Sequence, residues 1–277
     1  MLAPLRSIPE IFDPVTVAQI DARLDEIEAS DHVVIGWAIE SGSRAWGFPS
    51  PDSDYDCRFI YVRRQDDYLS PWMRRDVIET PLDGVLDVNG WDLGKAVKLL
   101  LKGNAVVIEW LTSPIAYRGD IWLRDALLDL ARRYTDRDAV ARHYLHLGEA
   151  QRRKYFSDEK DVALKKLFYA LRPAASLRWM RHHPGERIAP MHFPTLMEQC
   201  EPSAEVRSIV AELIARKAAS KEMGSAPLPQ PIRAFVDDEF KAARACFAST
   251  SQVASAEART AAERLFRAAI RRYALTS

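Results

Sequence analysis

The sequence is poor in cysteine, and its few cysteines stand where neither a disulfide framework nor a cysteine metal site could use them. Cys57, Cys200 and Cys246 are odd in number and far apart. That excludes paired-cysteine metal motifs and predicts reduced thiols, as in a reducing compartment. Long apolar runs are also missing. No segment approaches the roughly 18 unbroken apolar residues of a membrane span. The opening MLAPLRSIPE has no apolar stretch of signal-peptide length. These absences predict a cytoplasmic protein. There is no internal repeat and no long low-complexity tract; the Ala/Ser bias of 242–262 keeps helical spacing.

Net charge is absent too, with 39 Lys and Arg against 39 Asp and Glu. The balance hides a division. Residues 1–125 carry 13 basic and 21 acidic side chains, a net of −8, and 126–277 carry 26 and 18, a net of +8. An acidic half suits divalent cations, and a basic half suits a polyanion such as a nucleoside triphosphate or RNA. Solvated helix faces would give the same division.

What is present is an ordinary globular chain of 277 residues, 48% hydrophobic and 28% charged, long enough for two domains. Residues 14–29 have apolar side chains at Val15, Val17, Ile20, Leu24 and Ile27, which is helical spacing. Strands are predicted at 33–39, 55–62 and 84–89, with a Gly/Ser/Pro/Asp loop between the first two. The stretch 63–83 is an excursion carrying Tyr68 and Trp72. Asp92 is placed to cap a helix that stops at Gly103; a short helix over 105–111 and another over 120–133 follow. Beyond about Thr135 strand-like runs disappear, and helices are expected at 138–156, 159–181, 204–222, 231–248 and 256–273. The expected architecture is an α/β (α+β) mixed-sheet domain, 1–135, followed by an all-helical domain, 136–277.

The chemistry-bearing pattern is Gly42-Ser43, ten intervening residues, then Asp54-Tyr55-Asp56. In an extended segment Asp54 and Asp56 point to one side and Tyr55 to the other. Two carboxylates so close repel unless a cation lies between them. A hard divalent ion with oxygen ligands resolves that, and a pair of such ions is the usual clamp for in-line displacement at phosphorus. Gly42 lets the backbone approach a phosphate, and the Ser43 hydroxyl and Arg44 guanidinium are suited to grip it. The competing reading is a polar hairpin loop in which Asp52 and Asp54 form Asx-turns.

The segment GSRAWGFPSPDSDYD resembles the signature of the DNA-polymerase-beta-like nucleotidyltransferases. More narrowly, the chain resembles the RNA repair pathway DNA polymerase beta family, RlaP. The runs 90–117 (GWDLGKAVKLLLKGNAVVIEWLTSPIAY), 165–179 (KKLFYALRPAASLRW) and 213–222 (LIARKAASKE) are similar to further family blocks. The resemblance implies metal-dependent transfer of a nucleoside monophosphate (NMP) from an NTP to a hydroxyl with release of pyrophosphate, Mg²⁺ or Mn²⁺ as cofactor, and an RNA end as acceptor. It also implies a third metal-binding carboxylate on a later strand. Asp87 in VLDVN fits that place, with a second expected role as base toward the acceptor; Asp92, better explained as an N-cap, and Asp83, in a turn, compete with it. Alternative acceptors are a protein side chain or a small molecule, as in AMPylating or toxin/antitoxin-type transferases. A non-catalytic nucleotide-binding module is the remaining alternative.

Outside the motif, Lys166, Tyr169 and Arg172 are expected along one stripe of a helix that also carries Trp179. Charge and an aromatic there suit a triphosphate and a stacked base; an interdomain polar seam is the other reading. Arg172 precedes Pro173, so that helix is expected to bend or restart. Asn104 is read as a cap, Glu109 as a satisfied polar group beneath the site, and Lys98 and Lys102 as exposed lysines within reach of phosphate. His182 and His183, before Pro184, are read as helix-end residues.

Overall fold

A computed structural model of the chain describes residues 5–156, 161–247 and 254–273. The first half runs α1 (Pro14–Asp31), β1 (Val33–Glu40), α2 (Gly42–Ala45), β2 (Tyr55–Arg63), α3 (Gln65–Leu69), β3 (Val77–Glu79), β4 (Leu86–Asp92), α4 (Leu93–Leu101), α5 (Ala105–Thr112), β5 (Ala116–Gly119) and α6 (Ile121–Tyr134). The second half runs α7 (Arg137–Tyr155), β6 (Val162–Ala163), α8 (Leu164–His182), α9 (Phe193–Gln199), α10 (Ala204–Ala219), β7 (Ser225–Ala226), α11 (Gln230–Cys246) and α12 (Ala256–Arg272). Among the described residues, no helix is long and apolar enough to cross a membrane.

Five strands form a mixed sheet in the order β3-β4-β2-β1-β5, in which only β2 and β4 run parallel. β2 is buried on both faces. Tyr55, Cys57, Phe59 and Tyr61 pack toward α1, against Ile20, Leu24 and Ile27. Ile60 and Val62 join the larger core, with Leu93, Val97, Leu100 and Ile108 of α4 and α5. The period of two therefore sends Asp56 and Arg58 to the face of Ile60 and Val62, away from α1. The strand edge where Asp54 and Asp56 sit looks toward the second half of the molecule.

The helix starts follow the capping logic of their sequences. Asp13 accepts from the Val15 and Thr16 amides at 3.2 and 3.1 Å, ahead of Pro14. Asp92 accepts from the Gly94 amide at 2.7 Å, and Asn104 from Val106 and Val107. The N-cap roles expected for Asp92 and Asn104 are the ones observed.

Several expectations need correction. Of the bend or restart expected at Pro173, the restart is not observed: Pro173 lies inside α8, which runs on to His182. α8 is buried along most of its length, and its close approach to α7 at Gly148, where an added Cβ would lie 2.9 Å from Pro173 Cβ, holds it through the missing hydrogen bond. β5 and α9 were not expected. β4 runs through Asp92, three residues further than expected. The helix expected from 159 begins at Leu164; 159 and 160, and the predicted end at 248, lie outside the described residues. The last helix, assigned by sequence to the second unit, packs on α4, α6 and β2 of the first. Arg272 and Tyr273 there donate to the buried Asp120 carboxylate at 2.6 and 2.8 Å.

Candidate active site

The turn between β1 and β2 is built around the Asp56 carboxylate. Gly42 has φ +60°, and a Cβ on it would lie 1.9 Å from Asp56 Oδ2. Only a glycine tolerates both the left-handed backbone and that approach. The Ser41 amide donates to the Asp56 carbonyl at 2.8 Å, tying the start of α2 to β2. Ser43 Oγ donates to Ser53 Oγ at 2.9 Å, and Ser53 Oγ in turn accepts from the Ser50 amide at 2.8 Å. These bonds fix the 50–54 loop that carries Asp54.

That loop and α2 line a cavity of about 470 Å³. Gly42, Ser43, Asp54, Asp56 and Arg58 line it from the sheet, and Lys165, Lys166, Tyr169 and Lys217 from α8 and α10. Asp54, Asp56, Gly42, Ser43, Lys166 and Tyr169, widely separated in sequence, therefore meet at one place. Burial pushes the Asp56 carboxyl up; Arg58 pulls it back, and Asp87 and Asp54 add to the rise. Beneath it, buried Glu40 accepts from the Asp56 amide at 3.0 Å and from the Tyr117 hydroxyl, and burial pushes its carboxyl up to about 8.

Two expected residues stand apart from the cavity lining. Arg44 donates to the Asp54 and Ser53 carbonyls at 3.1 and 2.6 Å and lies over the Tyr55 ring at 3.8 Å. It braces the loop from behind. Arg172 is buried and forms a two-pronged ion pair with Glu109, both bonds at 2.9 Å, with its guanidinium 4.1 Å from the Trp46 ring centroid. Tyr144 also donates to Glu109, so Glu109 is a satisfied polar group, as expected.

Asp87 sits directly beside Asp56 in the parallel β2–β4 register. Its carboxylate is already engaged. Arg58 donates to Asp87 Oδ2 at 2.6 Å and to Asp56 Oδ1 at 3.2 Å, and Asn89 donates to Asp87 Oδ1. Asp92 lies at the far end of β4, capping α4 and accepting from Tyr68, and Asp83 pairs with Arg23. A larger cavity, about 730 Å³, opens at that far end, between α4 and α12. Lys98 lines it, remote from the aspartate pair. His183 stacks on Trp179 and its ring nitrogen meets the Trp179 carbonyl, consistent with a helix end.

Sequence reasoning missed Lys165, Lys217 and Arg58. Lys217 is buried on α10, donates from Nζ to the Phe48 carbonyl at 2.7 Å and sits over the Phe48 ring. Burial, and then the neighbouring cation Lys165, pull its pKa down to about 8. Lys165 reaches Asp52 across the cavity mouth at 3.3 Å. Both lysines lie in runs already noted, and Arg58 follows Asp56 by the strand period of two, so each left a signal.

As oxygen donors facing the cavity, Asp54 and Asp56 suit a hard divalent ion. Among the described residues no three acidic, histidine or cysteine side chains converge as a metal-binding group.

The profile of the RNA repair pathway DNA polymerase beta family, RlaP, matches residues 17–268. The chain belongs to this family. RlaP proteins are polymerase-beta-like nucleotidyltransferases, and the aspartate cavity lies within the matched span. The chain is also similar to YcgL, an uncharacterized protein of Bacillus subtilis (strain 168), with 37% identity over 218 residues covering 79% of this chain and 83% of YcgL.

Proposed function

We propose that this RlaP protein transfers a nucleoside monophosphate from an NTP, ATP being the first to try, to the hydroxyl of an RNA end and releases pyrophosphate. The observation that carries the reading is the polarity of the cavity: Asp54 and Asp56 on one wall, and Lys165, Lys166 and Lys217 on the other. A triphosphate with its cation needs both. A Mg²⁺ or Mn²⁺ ion held by Asp54 and Asp56 would polarise the α-phosphate and offset the charge that builds there. The chain's own residues do the rest. Ser43 and the α2 backbone approach the phosphates, and Lys166 and Lys217 meet the charge of the leaving pyrophosphate. Tyr169, edge-on to Trp46 at 6.4 Å and tilted against Tyr155 at 6.0 Å, offers a face to a base. The acceptor oxygen attacks the α-phosphorus in line with the departing pyrophosphate, and its proton leaves toward the Asp54–Asp56 pair.

An RNA acceptor is supported by the family and by a basic, aromatic approach. Lys154 and Lys166 both lie over Tyr155, at 5.0 and 5.4 Å, and Lys166 also lies over Tyr169 at 5.1 Å. The test is incubation with each α-labelled NTP, Mg²⁺ or Mn²⁺, and a panel of RNA, tRNA and protein acceptors. Label should pass to RNA and vanish in the Asp54→Asn/Asp56→Asn double variant. Transfer that survives both substitutions refutes the mechanism, and label on protein alone replaces the acceptor.

A further inference from the structure

The unusual feature of the site is what Arg58 does to the third carboxylate. Its guanidinium has five N–H donors. Four are spent here: two on the Asp87 and Cys57 carbonyls, at 2.7 and 3.0 Å, and two on Asp87 Oδ2 and Asp56 Oδ1. Arg58 is therefore locked between two adjacent strands, in the gap between their carboxylates. The second oxygen of Asp87 is held by Asn89. An ion ligated by a remaining lone pair of Asp87 would sit against the Arg58 guanidinium, which already holds Oδ2, with the Asn89 amide on the other oxygen.

Charge counting points the same way. Asp54, Asp56 and Asp87 with Arg58 leave two negative charges, which one divalent ion neutralises. A second divalent ion would leave the protein side positive. Arg58 lines the cavity, so its fixed charge faces whatever binds beside Asp56.

We propose that the site works with one protein-held divalent cation, on Asp54 and Asp56, that Arg58 supplies the second positive charge, and that Asp87 anchors Arg58 instead of ligating metal. This rests on the nucleotidyl-transfer reading above and specifies its charge machinery. Arg58 is thereby a fixed electrostatic partner of the reacting phosphate, and Asp87 a positioning residue.

The experiment counts Mn²⁺ bound to the full chain by electron paramagnetic resonance, alone and with α,β-methylene-ATP, alongside thermal melts of each variant. Wild type should bind one Mn²⁺. Asp54→Asn or Asp56→Asn should lose the bound ion, whereas Asp87→Asn should still bind one Mn²⁺, with affinity lowered by the roughly 10–100-fold of a lost outer-shell partner. Arg58→Gln should keep its Mn²⁺ but lose roughly 100-fold in transfer rate, as when one fixed donor to a transition-state charge is removed. Two Mn²⁺ in wild type, one of them lost in Asp87→Asn, overturns the proposal, as does an Arg58→Gln variant with full activity. If Arg58→Gln fails to fold, the Asp87→Asn count still decides. No Mn²⁺ in wild type overturns the metal-dependent reading beneath it, and this proposal with it.

Discussion

At the scale of single residues, the site depends on close approach and on where a proton resides. Gly42 is the sharpest case of approach, because any side chain there meets the Asp56 carboxylate. Gly42→Ala should leave a folded protein, destabilised by about 1–2 kcal/mol for an alanine in the left-handed region. Displacing Asp56 by about an ångström should cost roughly 100-fold in transfer rate. Calorimetry and a label-transfer assay read the two effects separately, and unchanged turnover would show that Asp56 does not need its position. Lys217 is the case of proton affinity. Its folded pKa of about 8 lies well below the ordinary lysine value of 10.5. It is charged below pH 8 and neutral above, so the grip on a triphosphate proposed for it should weaken as pH rises through about 8. KM for the NTP should rise about tenfold between pH 7 and 9 in wild type and stay level in Lys217→Arg, by the tenfold-per-unit loss of the protonated form. Stability moves the opposite way: between about 8 and 10.5 the unfolded chain binds the extra proton, so this lysine's contribution to stability rises with pH across that window and is lost as pH falls through 8.

At the scale of elements, the joint between the halves is the buried Arg172–Glu109 pair, which ties α8 to α5, with Tyr144 of α7 as a third member. Removing one partner strands a charge. Arg172→Met should cost about 3–5 kcal/mol in urea unfolding, and adding Glu109→Gln, which keeps an acceptor for Tyr144, should recover most of it. Additive losses in the double variant would mean the pair is not coupled. The same residue shows where reading the sequence stops. Lys166, Tyr169 and Arg172 are spaced by three, and each step of three falls about 60° short of a full helical turn. Over six residues the drift turns Arg172 some 120° away from Lys166, out of the cavity and into the core. The strands β1, β2 and β4 and the caps at Asp92 and Asn104 were legible because each is a local pattern. β5, four residues of AYRG, exists through its pairing with β1 and carries no pattern of its own. α9 was hidden because Pro194 reads as a break, yet it sits in the first turn, where proline starts helices.

At the scale of the whole molecule, the division of charge has a spatial meaning. The acidic half brings Asp54 and Asp56 to the cavity, and the basic half brings Lys165, Lys166 and Lys217 to face them. The sequence could show that the halves differ in charge but not that the excesses meet, because that depends on how α8 and α10 lie across the β2 edge. The route of the chain was hidden for the same reason: α12 belongs by sequence to the helical half, but its Tyr273 and Arg272 bond to Asp120 of the sheet half. The facing of opposite charges also bears on the acceptor. A polyanion sliding in along Lys154, Tyr155 and Lys166 gains from released counterions, whereas a small neutral acceptor does not. Binding of a short single-stranded RNA should therefore weaken steeply between 50 and 200 mM salt. Each of Lys154→Ala and Lys166→Ala should weaken it for all sequences alike and lower the salt slope by about 0.7, one phosphate contact apiece on a single strand. Tyr155→Ala should weaken binding by about 1–3 kcal/mol of stacking with the slope unchanged. Fluorescence anisotropy across the salt series separates the two behaviours. A flat salt response in wild type would remove RNA as the acceptor and leave the nucleotidyl transfer proposed for Asp54 and Asp56 in need of a smaller one.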